Sequence, residues 1–174
     1  MRLKIVRSRF ERDFMADEEA TAYHEAGDAV VGAVCGSLPN SVTIIPDESS
    51  AGKNEFSDDC PPQFKNYLSV SPEKRAYVET CILIGIGGTV ANDLHFPSRA
   101  HDAADAYDER YARMIIDQNA SWAANDRDSY FQQLQDTARS QLETNWPWVE
   151  LVASELIERK TIWGAEVMKL RPIE

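Results

Sequence analysis

Between Glu18 and Cys35 the apolar residues Ala22, Ala26, Ala29, Val30, Ala33 and Val34 recur at the spacing that lines one face of an α-helix. Gly36, Pro39 and Asn40 then end that helix. The same helical signal dominates the rest of the chain. The most apolar run, Val78 to Val90, contains Glu79 and Thr80 and is too short to span a bilayer, so it reads as part of a buried helix from Glu73 to about Leu94, and no membrane segment is expected. Further helices are predicted over 102–118, 127–143 and 145–160, the last with Asn145 as its cap and Pro147 in its first turn, and a short one after Gly164.

Against this background the β signal is small. Ser41 to Ile45 is β-branched and closed by Pro46, and Lys53 to Phe56 is a candidate hairpin partner. Residues 57–72 carry Asp58, Asp59, Pro61, Pro62 and Pro72, which predicts a loop with at most one helical turn near Phe64 to Leu68. The expected fold is therefore mainly α, with a small sheet or hairpin beside the first helix. An N-terminal tail or short helix over 1–19 would precede a single domain over 20–174.

Composition narrows the function classes. With 43% hydrophobic and 27% charged residues, the chain reads as soluble and globular rather than disordered. A net charge of −11 argues against a nucleic-acid surface, which needs clustered Lys and Arg to meet phosphates. Cys35, Cys60 and Cys81 lie far apart without a CxxC pair, and the basic N-terminus lacks the apolar core of an export signal. Both features predict reduced thiols and a cytoplasmic location.

The sharpest local motif is His24-Glu25-Ala26-Gly27-Asp28, inside the first predicted helix. Positions i and i+4 share a helical face, so His24 and Asp28 can hold one cation between them. Glu25 lies about 100° round the helix, in reach of a water beside that cation, as a general base requires. This is the geometry of the HExxH zinc helix with its last ligand changed. Taken alone the pentapeptide is weak, because a helical His beside an Asp is more often a surface pair.

Neighbouring residues add to it. Thr21-Ala22-Tyr23-His24-Glu25-Ala26-Gly27, followed by Ala29-Val30-Val31, resembles the active-site helix of FtsH-type zinc metallopeptidase domains. Val42-Thr43-Ile44-Ile45-Pro46 resembles the strand that follows it in that family, and Gly87-Gly88-Thr89-Val90-Ala91-Asn92-Asp93-Leu94 is similar to the family's Gly-Gly-Arg-Ala-Ala-Glu-Glu-Leu helix end. Asp102, three residues ahead of Asp105-Ala106, matches the acidic third zinc ligand. Leu142, Asn145, Leu156, Ile157, Glu158, Gly164 and Val167 resemble the closing helices. The matches span roughly residues 20 to 170 in the right order. They imply a peptidase domain with Glu25 as catalytic base, His24, Asp28 and Asp102 as metal ligands, and peptides or unfolded protein segments as substrates, with the 41–45 strand pairing by its edge to an extended chain.

The departures are equally specific. No GxxxxGK[ST] phosphate loop is present, so no ATP site is expected and the ATPase module of these proteases is missing. The stretch 114–140 is shorter than the family's. Asp28 replaces the second histidine, so two carboxylates would neutralise a divalent cation and weaken its pull on water. Zinc remains the first expectation, with manganese or magnesium favoured by an oxygen-rich set. His101 adjoins Asp102 and is a candidate to replace the lost imidazole, whereas His95 reads as a surface or capping residue. Gly85, Gly87 and Gly88 lack the GxGxxG spacing and read as close helix packing. Trp146, Trp148 and Trp163 read as core or helix-end residues, and Asp105, Asp108 and Glu109 as a solvated acidic face. The alternative to a peptidase is a catalytically inactive relative, with the fold kept as an interaction module.

Overall fold

A computed structural model describes residues 9–48, 50–56, 71–98, 103–119 and 126–173, with side chains from Glu18 onward in the first helix and from Asp105 onward in the third. The order is α1 (Arg9–Val34), β1 (Ser41–Thr43), β2 (Lys53–Glu55), α2 (Pro72–His95), α3 (Ala103–Gln118), α4 (Arg127–Thr144), α5 (Trp146–Arg159), β3 (Thr161–Trp163) and α6 (Gly164–Lys169). The architecture is mainly helical with one small antiparallel sheet, as the periodicity predicts. The turn expected near Phe64 to Leu68 lies outside the described residues. No helix among the described residues is long and apolar enough to cross a membrane.

Local chemistry sets the element ends. Ser71 caps α2 by accepting the Lys74 backbone N–H at 3.2 Å, and Pro72 occupies the first turn, where its missing N–H costs nothing. Asp126 caps α4 in the same way through the Ser129 N–H at 3.0 Å. Helix α1 starts earlier than expected and runs unbroken across residues 19 and 20, because Arg9 to Ala20 contains neither Gly nor Pro to interrupt it.

α1 packs against α2 and α5, and α2 in turn against α3 and α4. The α1–α2 crossing is unusually close. A Cβ on Gly27 would stand 2.5 Å from the Ala91 Cβ and 2.7 Å from the Gly87 carbonyl oxygen, so only glycine fits. Around this crossing Ala22, Ala26, Val30, Ile82, Ile86, Leu142, Val149 and Leu156 form the core.

The sheet has the order β2-β1-β3, with Val42 opposite Asn54 on one side and Ile162 on the other. Two expectations change here. β1 is the central strand, its backbone paired on both sides, so it offers no free edge to a substrate. A third strand, β3, follows α5 directly. The link between them is Lys160, which turns the chain at φ 67° in the left-handed region, a conformation that costs a non-glycine residue about 1–2 kcal/mol. Its carbonyl oxygen accepts from the Ile44 N–H at 2.9 Å and the Thr43 hydroxyl at 3.1 Å, and its ammonium reaches Glu18 at 2.6 Å. These contacts hold the turn that sends β3 back along β1.

The tryptophans divide. Trp148 is buried and its indole N–H donates to the Val167 carbonyl at 2.8 Å, tying α5 to α6. Trp146 packs beside Tyr23. Trp163 is 62% exposed and takes no place in the core, because on β3 it points outward while Ile162 takes the core side; it stands at a helix end, as the N-cap of α6.

Candidate functional site

His24 sits midway along α1, where α1 meets the glycine turn of α2. A Cβ on Gly88 would fall 2.5 Å from the His24 Nε2, so the ring lies directly on the α2 backbone. One turn further on, Asp28 Oδ1 accepts the Gly88 N–H at 2.5 Å, which leaves Oδ2 facing His24 Nε2 at 3.8 Å. The predicted i, i+4 pair is thus brought together on one face, and the small residues of α2 make room for it.

The third side of the site comes from α3. Asp108 Oδ2 lies 3.2 Å from His24 Nε2, and Asp105 Oδ1 lies 3.7 Å from Nδ1. Asp105 is only 1% exposed, so the reading of 105–109 as a solvated face is corrected for both aspartates. Only Glu109 keeps that character, in a surface ion pair with Arg113 at 2.9 Å. The three-residue spacing of Asp105 and Asp108, one helical turn, was the available sign that they share a side; composition alone does not say whether that side faces water or a histidine. Asp102 and His101 lie outside the described residues.

Glu25 turns the other way, towards the sheet. The Asn54 side-chain amide on β2 donates to Glu25 Oε2 at 2.7 Å and to the Glu25 backbone carbonyl at 3.0 Å, clamping strand to helix. A Cβ on Gly52 would meet Glu25 Oε1 at 2.6 Å, so the carboxyl is packed on bare backbone. Asn54 is absent from the sequence expectations, since a lone Asn in a three-residue strand carries no pattern.

Electrostatics follow from this crowding. Burial raises Glu25 to about 7, with the Asp108 charge acting in the same direction and His24 and Asn54 opposing it. Burial likewise holds Asp28 well above the usual carboxylate range, reinforced by Glu25 and Asp108 against the pull of His24 and the Gly88 N–H. For His24 burial acts downward, but the surrounding Asp105, Asp108, Asp28 and Glu25 outweigh it and hold the imidazole well above its ordinary value.

His95 belongs elsewhere: its ring stacks on Tyr23 at 3.5 Å between centroids and pairs with Glu19 at 3.2 Å. It is a packing residue at the end of α2, not part of the site.

His24, Asp28 and Asp108 are of the residue types that ligate divalent ions. Two ligand atoms each about 2 Å from a tetrahedral ion lie about 3.3 Å apart. The 3.2 and 3.8 Å distances from His24 Nε2 to Asp108 and Asp28 bracket that value. Among the described residues, no group of three or more His, Cys, Asp or Glu side chains is arranged to hold a metal ion. No protein-family model matches the chain, and no curated protein matches it significantly.

Proposed function

We propose that the chain is a metal-dependent peptidase of the kind the FtsH-type motifs imply, with Glu25 as general base and with His24 and Asp28 as metal ligands, joined by a further carboxylate for which Asp102 is the position the resemblance implies. The observation that carries this reading is the division of labour on α1: His24 and Asp28 face the acidic side of α3, while Glu25, next in sequence, is held by Asn54 with its carboxyl at about 7. A base poised near neutrality takes a proton from water and returns it to a leaving amine most effectively. When bound, the ion would supply Lewis-acid polarisation of water and of a peptide carbonyl. Glu25 would accept the proton of the attacking water and pass it to the amine as the peptide bond breaks.

Substrates would be peptides or unfolded segments, the class that the FtsH-type resemblance implies. With β1 central, the sheet edge beside Glu25 is β2, which pairs on one side only among the described residues. An extended peptide added there would run past Glu25. We place the protein in the cytoplasm, where the free thiols of Cys35 and Cys81 would stay reduced.

A second reading has its own support. His24 among three carboxylates forms an ion cluster that can hold α1 to α3 without a metal, as an inactive interaction module would need. Cleavage of casein without ATP separates the two. The peptidase reading expects slow, chelator-sensitive cleavage that Glu25→Gln lowers by about three orders of magnitude, since an amide keeps the shape but cannot take the proton. Equal cleavage by wild type and Glu25→Gln would leave the interaction module as the better account.

A further inference from the structure

We propose that Asn54 and Gly52 are the positioning residues of Glu25, Asn54 fixing its carboxyl through Oε2 and Gly52 keeping the side of Oε1 clear for the proton it takes from water. This role rests on the reading of Glu25 as general base and deepens it, naming what aims the base, which the motif resemblance leaves unassigned.

A glutamate reaches its carboxyl through three rotatable bonds, so on a helix it has many rotamers to lose before it points one way. The Asn54 amide removes that freedom. Its nitrogen carries two N–H groups, and the two oxygens it donates to both belong to Glu25: Oε2 at 2.7 Å and the backbone carbonyl at 3.0 Å. The carbonyl ties the amide to α1 at the same residue whose carboxyl it holds, so the carboxyl cannot swing without losing a partner fixed to its own backbone. Asn54 is anchored in turn, because it lies opposite Val42 on the central strand and Val42 is fully buried. A fastening built for strength alone would be made otherwise. The Asn54 Oδ1 is buried with no hydrogen-bond partner among the described residues, which costs stability. Such a loss fits a side chain kept to hold another group in place.

The second oxygen is treated differently. A Cβ on Gly52 would stand 2.6 Å from Glu25 Oε1 and 2.8 Å from both the Glu25 Cγ and the Thr21 methyl. Any side chain at position 52 would therefore push the carboxyl aside, since the far end of a glutamate gives way before a backbone does. An oxygen that already accepts an N–H is the weaker base of the pair, so Oε1 is the atom left to accept the proton. A general base must stand within hydrogen-bond reach of that proton, and a displacement of about 1 Å lowers the rate by up to about 100-fold.

The test is steady-state cleavage of fluorescein-labelled casein by the zinc-supplemented full chain without ATP, comparing wild type with Asn54→Ala and Gly52→Ala, each checked by its melting curve. Both variants keep Glu25. Each is expected to lower kcat about 10- to 100-fold with KM within about twofold, because the base is misplaced while the contacts that bind substrate remain. Where Asn54→Ala does not fold, Gly52→Ala decides, since it leaves the Asn54 amide in place. A raised KM at unchanged kcat, a wild-type rate in a folded variant, or a fall no larger than the loss of folded protein overturns the proposal and leaves Glu25 as the base. Equal cleavage by wild type and Glu25→Gln, or none by wild type, overturns both. A second readout needs no turnover and no metal. In nitrogen-15 spectra the Asn54 side-chain NH₂ signals, identified by their absence from Asn54→Ala, should shift in Gly52→Ala and in Glu25→Gln. Signals that stay in place in both refute the positioning role.

Discussion

Glu25 keeps its carboxyl between the Asn54 amide and the backbone at Gly52, and that packing has a thermodynamic signature. Its folded value of about 7 exceeds its ordinary 4.5, so between those pH values the folded chain holds a proton that the unfolded chain has released. Stability from this group is therefore lost as pH rises through that window, by on the order of 2–3 kcal/mol. His24 and Asp28, both raised, act with the same sign, the histidine contribution being complete below about 6.5 and lost as pH passes its raised folded value. The metal-free protein should melt higher at pH 5 than at pH 8. Glu25→Gln carries no charge to bury and should exceed wild type at pH 8 by about 4–10 °C, while closing the gap at pH 5. Parallel melting curves for the two proteins across that range would show that Glu25 is not held out of its ordinary range. A residue whose loss stabilises the fold while abolishing activity is kept for chemistry rather than packing.

At the level of elements, the close approach of α1 and α2 positions everything else. Gly27→Ala would drive a methyl against the Ala91 side chain and the Gly87 carbonyl, and a helix backbone cannot give way as a flexible side chain does. A loss of about 1–3 kcal/mol is expected, measured as the denaturant midpoint; an unchanged midpoint would mean that the crossing yields to the added methyl. The helices were legible in the sequence because their apolar spacing repeats over many residues. The β3 strand was not: Thr161-Ile162-Trp163 is too short for an alternating pattern, and Lys160 takes the left-handed turn where a glycine would have signalled one. The centrality of β1 was hidden for the same reason, since it depends on β3.

For the molecule as a whole, the sequence placed His24, Glu25 and Asp28 correctly on one helix because i, i+4 spacing is a local property. It did not disclose that Asp105 and Asp108 turn towards His24, because the packing of α3 against α2 decides which way that helix faces, and the acidic run itself does not. Nor did it disclose the Asn54 clamp, which follows from the pairing of β2 with β1. The central claim is that these elements converge on a metal centre, and metal uptake tests it most directly. Equilibrium dialysis of chelator-treated protein against Zn²⁺ or Mn²⁺ should load one ion per chain in wild type and weaken by at least about 100-fold in His24→Ala. Equal uptake by the two proteins, or none by either, would contradict it and leave His24 as the cation of a metal-free ion cluster.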